Sequence, residues 1–296
     1  MRMAFVHEQS CECLKSELDL FSVPPTQTSV ENGNWIEYHP LSSVGDDSPI
    51  EFEINGNGED YIDLANSMLY VRAKIVQPNG NNIAAGAAVG PVNLFLHSLF
   101  SQVDISLNGT QVTTSTNTYP YRAMIETLLS YGDDAKTSQL TSALYYADQA
   151  DRMNVVDFAE NVRNSGLYKR SRFTVTSHAV DMMGRIHADM FFQDRYLLNE
   201  VHVKIKLVRS RNSFCLMSDE KFKVKIENAI MFVRKVKLSP SVFLAHAKAL
   251  DNATAKYPIR RAMCNTITIP NGFDGDLLVL GRAAAVRYKT ADDRFY

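Results

Sequence analysis

Among 296 residues, seven histidines and four cysteines are the side chains best suited to holding a metal or acting as nucleophiles. Their spacing favours neither role. His178, His187 and His202 fall in strand-rich sequence, where a β-sandwich could gather metal ligands. No two histidines are spaced His-x-His or His-x-x-x-His, so no strand face or helix face presents a pair of imidazoles. Ordinary surface or half-buried histidines are therefore expected. Cys11-Glu-Cys13 supplies two thiols where a tetrahedral site needs four ligands, and Cys215 and Cys264 lie far away in sequence. The spread of these thiols suits a reducing compartment and argues against a disulfide framework.

Other chemistry also lacks a foothold. There is no Gly-x-Ser-x-Gly elbow, no Walker loop and no Gly-x-Gly-x-x-Gly after a strand. The run from Asn55 to Asp60 is acidic and glycine-rich but lacks the ligand spacing of a calcium loop, so it reads as a turn. Tyr145-Tyr146 with Asp148 is the one grouping suited to stacking a sugar, and a carbohydrate- or ligand-binding β-sandwich is accordingly the alternative function. Basic residues cluster at Lys169-Arg170 with Arg172, at Arg209 with Arg211, at Lys221, Lys223 and Lys225, at Arg234-Lys235 with Lys237, and at Arg260-Arg261. Gathered on one face they would oppose a phosphate backbone without reading sequence. Alternation with Phe222, Val224 and Ile226 instead makes Lys221, Lys223 and Lys225 the wet face of an edge strand. The chain is thus expected to be a non-enzyme with no catalytic, cofactor-binding or metal-binding residues.

The elements that would position any site come next. Asn108-Gly109 between two alternating runs is a strong hairpin signal, because a type I′ turn needs positive φ at both central residues. Before it, Leu69, Val71, Ala73 and Ile75 share one parity, with Met68, Tyr70, Arg72 and Lys74 on the other. Further strands are expected at Ile50–Ile54, at 61–64, at 172–176, from Val180 through Phe192, at 201–208, and from Phe222 through Val233, with strand-like pieces at 256–259, 266–269 and 276–280. Tyr121, Met124, Ile125, Leu128 and Leu129 recur at helical spacing over 119–131, with Pro120 in the first turn and Gly132 past the end. Ser239-Pro240 opens a second helix running to Leu250. The apolar piece 92–100 fits a buried helical turn or a strand. Segment 132–166 reads as a long polar excursion from the sheet.

Composition leaves room for a large core: 45% hydrophobic and 22% charged residues, with a formal charge of −2, give no global attraction to nucleic acid or acidic membranes. The first residues carry too short an apolar run for a secretory signal, and no segment approaches the roughly 20 apolar residues that cross a bilayer. A soluble intracellular protein is expected. The sequons at Asn108 and Asn252 then mark turns only.

Several strings are specific enough to carry a resemblance: Phe5 to Cys13, Ser16 to Phe21 with Pro24 to Thr28, Leu94 to Gly109, Tyr119 to Arg122, Glu126 to Gly132, and Val233 to Pro240. Together they resemble the hexon-like major capsid protein of Polinton (Maverick) elements and the related adintoviruses, with similarity running to about Ile269. The resemblance implies an all-β double jelly roll, homotrimeric capsomers in a capsid lattice, a minor penton-like partner and residence in the virion. It brings no catalytic residues. Residues 1–45 would form an extended N-terminal arm, 46–238 the first jelly roll with a helical and loop insertion at about 119–166, and 239–296 a linker helix and an incomplete second jelly roll. At about five to six residues per strand, the stretch after the linker helix cannot supply eight strands. A truncated or remnant copy is expected on that ground, with Ile267, Ile269, Leu278 and Leu280 lacking sheet partners.

Overall fold

A computed structural model describes residues 18, 20, 21, 23, 26–45, 48–56, 58–159, 162–259 and 261–264. Cys11, Cys13 and the strands expected at 266–269 and 276–280, with Ile267, Ile269, Leu278 and Leu280, lie outside these residues.

The chain forms a mostly β jelly-roll sandwich. Eight strands make two four-stranded sheets, one ordered β1 (Val30–Tyr38), β10 (Lys223–Leu238), β3 (Tyr61–Val76), β7 (Val180–Gly184), the other β2 (Ile50–Ile54), β8 (Val203–Arg209), β5 (Phe100–Leu107), β6 (Thr110–Gln111). A short antiparallel pair, β4 (Val89–Pro91) and β9 (Leu216–Ser218), stands apart. Pairing is nested and antiparallel: β1 with β10, β2 with β8, β3 with β7, and β5 with β6. The chain is therefore one long hairpin ribbon, wound so that successive pairs fall alternately into the two sheets. Its tip is the Asn108–Gly109 turn, with φ of 46° and 79° as the sequence predicts.

Alternation sets the core between the sheets. Leu69, Val71, Ala73 and Ile75 of β3 face Phe52 and Ile54 of β2, Ile105 of β5 and Val203, Ile205 and Leu207 of β8 in one continuous buried cluster. On the outer face of β8, Lys204 and Lys206 pair with Glu51 at 2.8 and 3.8 Å. Strand β10 keeps its core face by slipping register twice, between Ile226 and Asn228 and between Phe232 and Arg234. The buried parity accordingly switches from Val224 and Ile226 to Ala229, Met231 and Val233, then back to Val236 and Leu238.

Among the described residues, the first half of β10 has β3 as its only paired strand, because β1 reaches no further than Met231. Lys221, Lys223 and Lys225 are exposed there, as expected for a strand edge. The open edge is also plugged: the Val224 amide donates to Asn212 Oδ1 (2.9 Å) and Arg209 donates to the Val224 carbonyl (3.1 Å).

Several sequence expectations are corrected. Residues 30–38, read as part of the arm, form β1, because β10 offers them backbone partners from Val30 to Tyr38, interrupted by one register shift at Glu31. The strand expected at 172–176 is absent: α4 (Ser165–Ser171) runs into a 3₁₀ turn at Val175–Ser177, with Thr176 and Ser177 at positive φ. The Asn164 side chain caps α4 by accepting from the Gly166 and Leu167 amides. The strand expected from Val180 through Phe192 stops at Gly184, where pairing with Leu69 of β3 ends, and Asp189–Phe192 forms a 3₁₀ turn instead. Residues 256–259 belong to no strand, and 61–76 is one strand rather than two. The apolar piece 92–100 is the short helix α1 (Phe95–Ser98) leading into β5.

Helix α2 (Tyr119–Ser130) occupies its expected position, as does α6 (Pro240–Leu250), which follows the short helix α5 (Asn212–Cys215). Ser239 precedes α6 without making the side-chain cap bond, its hydroxyl turning instead to Ser241 Oγ (3.3 Å). Helix α6 rests on the sandwich through Phe243 and through His246 Nδ1, 3.0 Å from the Tyr61 hydroxyl. The excursion 132–166, made of α3 (Asp133–Thr137), a 3₁₀ turn at Gln139–Ala143 and a long loop, is not wholly superficial, since Ala143, Leu144 and Tyr145 enter the core.

Candidate functional site

Helix α2 is built the opposite way round from an ordinary surface helix. Of the stripe Tyr121, Met124, Ile125, Leu128 and Leu129, whose spacing alone would direct it inward, Met124 packs against the core and the other four face solvent, with Leu129 83% exposed. The inward face carries Tyr119, Ala123 and Thr127, with Arg122 and Glu126 half-buried beside them. The reason is what lies beneath: a cluster of polar groups that only polar partners can satisfy.

That cluster joins α1, α2 and the 3₁₀ turn after β7. His97 Nδ1 of α1 lies 2.9 Å from the Tyr119 hydroxyl, which also accepts from the His187 amide at 3.3 Å. The two imidazoles meet edge to face with centroids 4.7 Å apart. His187 Nδ1 sits 2.8 Å from Glu126 Oε2, Arg122 donates to Glu126 Oε1 (2.8 Å) and to Asp189 Oδ1 (2.6 Å), and Asp189 Oδ1 accepts from the Ala262 amide (3.2 Å). Residues 261–264 thus close over the cluster. Arg261 donates to the Val112 carbonyl (3.0 Å), and Thr118, instead of capping α2, donates to the Cys264 carbonyl (3.1 Å).

Burial and, secondarily, the neighbouring His187 hold His97 well below the ordinary histidine pKa. Burial drives the Tyr119 phenol far above its usual value. Arg122 is opposed by burial, yet Asp189 and Glu126 outweigh it and raise its pKa; burial likewise opposes Glu126, and the His187 hydrogen bond with Arg122 overcomes it and lowers that carboxyl. Each charge is matched by a neighbour. What remains open is a cleft of about 100 Å³, lined in part by Thr116, Arg122, His187 and Met263. That is well short of the roughly 300 Å³ at which small-molecule pockets begin.

The histidines named from sequence do not converge. His187 enters the cluster and is buried, a correction to its expected surface or half-buried place; His178 is exposed; His202 pairs with Glu53 at 2.7 Å. His97 was not singled out by spacing, because its partners come from α2 and from residue 187. No group of three or more metal-ligating side chains occurs among the described residues. Cys215 is buried against the Ser98 carbonyl (3.2 Å), and burial pushes its thiol up to about 12; Cys264 is half-buried.

The sugar-binding grouping also disperses. Tyr145 is buried, Tyr146 packs against Phe173 (5.8 Å), and Asp148 accepts from Arg170 (2.7 Å) and Asn164 (2.8 Å). Arg170 is fully buried and donates also to the carbonyls of Pro91 (2.8 Å) and Tyr146. Lys235 is buried too, reaching the Asn55 carbonyl (3.3 Å). Arg170 and Lys235 are thus buried against protein carbonyls, and Arg209 and Arg261 of the same basic clusters also donate to carbonyls. In the run from Asn55, Gly56 lies so close to Val201 that an added Cβ would sit 2.6 Å from its backbone.

No protein-family model matches the chain. A curated relative, the uncharacterised protein F54H12.2 of Caenorhabditis elegans, is 24% identical over 262 residues, covering 84% of this chain and 60% of that protein. A chain of the Sputnik virophage, solved by cryo-EM, superposes with a TM-score of 0.52 at 12% identity, over 78% of this chain and 53% of that one. The Faustovirus major capsid protein gives 0.48 at 9% identity, over 78% and 58%. The chain therefore spans about half to three-fifths of the length of these proteins, and the superposition on the Sputnik chain shows that the two share a fold.

Proposed function

We propose that this chain is a structural capsid protein, assembling with copies of itself as a hexon-like building block. The observation that carries the reading is the nested eight-strand winding in two facing sheets, shared with a chain from a virus particle at a TM-score of 0.52. The buried polar groups are spent on holding α1, α2 and the 132–171 excursion to the sandwich, while large apolar side chains stand outside: Trp35 and Met68 on the first sheet, Ile125, Leu128 and Leu129 on α2, Leu244 on α6. Exposed apolar surface of this kind suits contact with neighbouring protein.

The finer reading follows the sequence strings. The lineage is that of Polinton and adintovirus elements, the capsomer is a homotrimer, a minor penton-like protein is a second partner, and the virion is the destination. Residues up to 238 form the first jelly roll, with β1 included, and α6 leads on toward a second. No helix among the described residues is long and apolar enough to cross a membrane.

Light scattering after size exclusion, with negative-stain electron microscopy, tests this on the full chain. Trimers or pseudo-hexagonal plates are expected. A monomer persisting across protein concentration and salt would overturn the reading.

A further inference from the structure

The His97–His187 pair has a position that the assembly reading does not use. It lies beneath α2, between the helix whose outer face is apolar and the sheet edge, and His187 lines the cleft that gives solvent a route inward. We propose that His97, packed against His187, is the proton-taking part of an acid-sensitive latch: a proton on its Nδ1 unseats the first turn of α2 and releases the strap 261–264 that lies across it.

Hydrogen-bond counting supplies the mechanism. The Tyr119 oxygen accepts from the His187 amide, and His97 Nδ1 is the one acceptor among the described residues within hydrogen-bond distance of its hydroxyl; satisfying that buried O–H therefore assigns the His97 tautomer with Nδ1 unprotonated. A proton on that nitrogen turns acceptor into donor and leaves the tyrosine O–H, wholly buried, without its partner. Tyr119 is the first residue of α2, and Thr118 before it holds the Cys264 carbonyl, so the loss falls where helix and strap are joined.

The surroundings do not accommodate a charge on His97. From α2 it faces Tyr119; from the turn after β7 it faces the edge of His187; from β7 it faces Gly184, where even a Cβ would lie 3.4 Å from Nε2. The carboxylates of the cluster are engaged elsewhere, Glu126 with His187 and Arg122, and Asp189 with Arg122 and the Ala262 amide. Of the other cations nearby, Arg185 stacks on Phe192, itself against His187, and Arg261 is turned to the Val112 carbonyl. A buried charge with no counter-ion is relieved by opening to water.

The sign follows from linkage. Folded His97 binds its proton less readily than it does in the opened chain, so the opened form takes up the proton first as pH falls. The seating of α2 is fully present above about pH 6.5 and weakens below it, by up to about tenfold in the opening equilibrium per pH unit for one proton. The inference concerns the single chain and does not rest on the capsid reading.

Hydrogen exchange on the full-length chain from pH 7.5 to 5, corrected for intrinsic exchange rates, tests it. Protection over 119–126 and 261–264 should fall below about pH 6.5 while β3 and β10 hold, and His97→Gln, which keeps an acceptor for Tyr119 without a titratable ring, should abolish the fall. Protection of α2 that does not change with pH in the wild-type chain, or that falls in step with β3 and β10, overturns the latch. So does a folded His97→Gln chain that keeps the pH dependence. Should that variant fail to fold, the wild-type profile decides alone. Whether the chain assembles is read separately by light scattering, so either idea can fail without the other.

Discussion

Replacing Arg170 by methionine should strongly destabilise this fold. Sequence places Arg170 in a basic cluster with Lys169 and Arg172, but its side chain is completely buried and donates to the Pro91 carbonyl, the Tyr146 carbonyl and Asp148 Oδ1. Methionine keeps the stem and removes every donor. Two carbonyls that join β4 and the excursion lose their partner, and Asp148, 19% exposed, keeps only the Asn164 amide from the surrounding set. Breaking a buried ion pair from one side costs about 3–5 kcal/mol. In a domain of this size that corresponds to roughly 6–20 °C in Tm, taking about 2–4 °C per kcal/mol. Adding Asp148→Asn removes the stranded carboxylate, so the double variant should recover about 1–2 kcal/mol relative to additivity. Urea unfolding of the wild type, both single variants and the double variant measures this directly. An Arg170→Met cost under about 1 kcal/mol, or strictly additive effects, would refute the claim that Arg170 is an internal tie and reopen its role as a surface cation.

Further outcomes follow from other parts of the fold. Ile125→Lys with Leu129→Lys on the exposed face of α2 should weaken self-association in sedimentation experiments while changing stability by less than about 1 kcal/mol, since both side chains are at the surface. Asn212→Ala should cost about 1–3 kcal/mol by orphaning the Val224 amide, and should raise aggregation measured by light scattering because the edge of β10 is uncovered. Gly166→Ala places a Cβ 2.2 Å from the Ala147 carbonyl oxygen and should destabilise by about 3 kcal/mol or more in thermal unfolding. For the isolated domain, expression from before β1 should give a better-behaved product than expression from residue 46, because β1 covers the outer half of β10; equal solubility of the two would count against β1 as a sheet strand.

Where the sequence misleads, the cause is identifiable. Residues 172–176 alternate like a strand, but Asn164 starts a helix upstream and Arg170 is drawn into the core, so the chain enters this stretch from a helix and continues into a 3₁₀ turn. Residues 185–192 contain consecutive buried side chains, Met190 and Phe191, which a one-sided strand cannot bury together; a 3₁₀ turn can. The segment 30–38 shows little hydrophobic alternation because β1 is an edge strand whose side chains are mostly exposed, so its place depends on backbone pairing with β10. The histidine cluster escaped spacing rules entirely, since His97, Tyr119, Glu126 and His187 come from three separate elements.

Local chemistry was written in the chain itself. Positive φ at Asn108 and Gly109 fixes the ribbon's tip, period-two burial fixes the inner faces of β2, β3 and β8, and Pro120 and Pro240 mark helix starts. Tertiary structure decided which face of helix α2 turned inward. The stripe on α2 has the period of a buried face, yet it points to solvent because the groups beneath the helix are polar and demand Arg122, Glu126 and Tyr119. Periodicity tells that a helix has two unlike faces; only the partner across the gap, brought there by strands distant in sequence, determines which of them is covered.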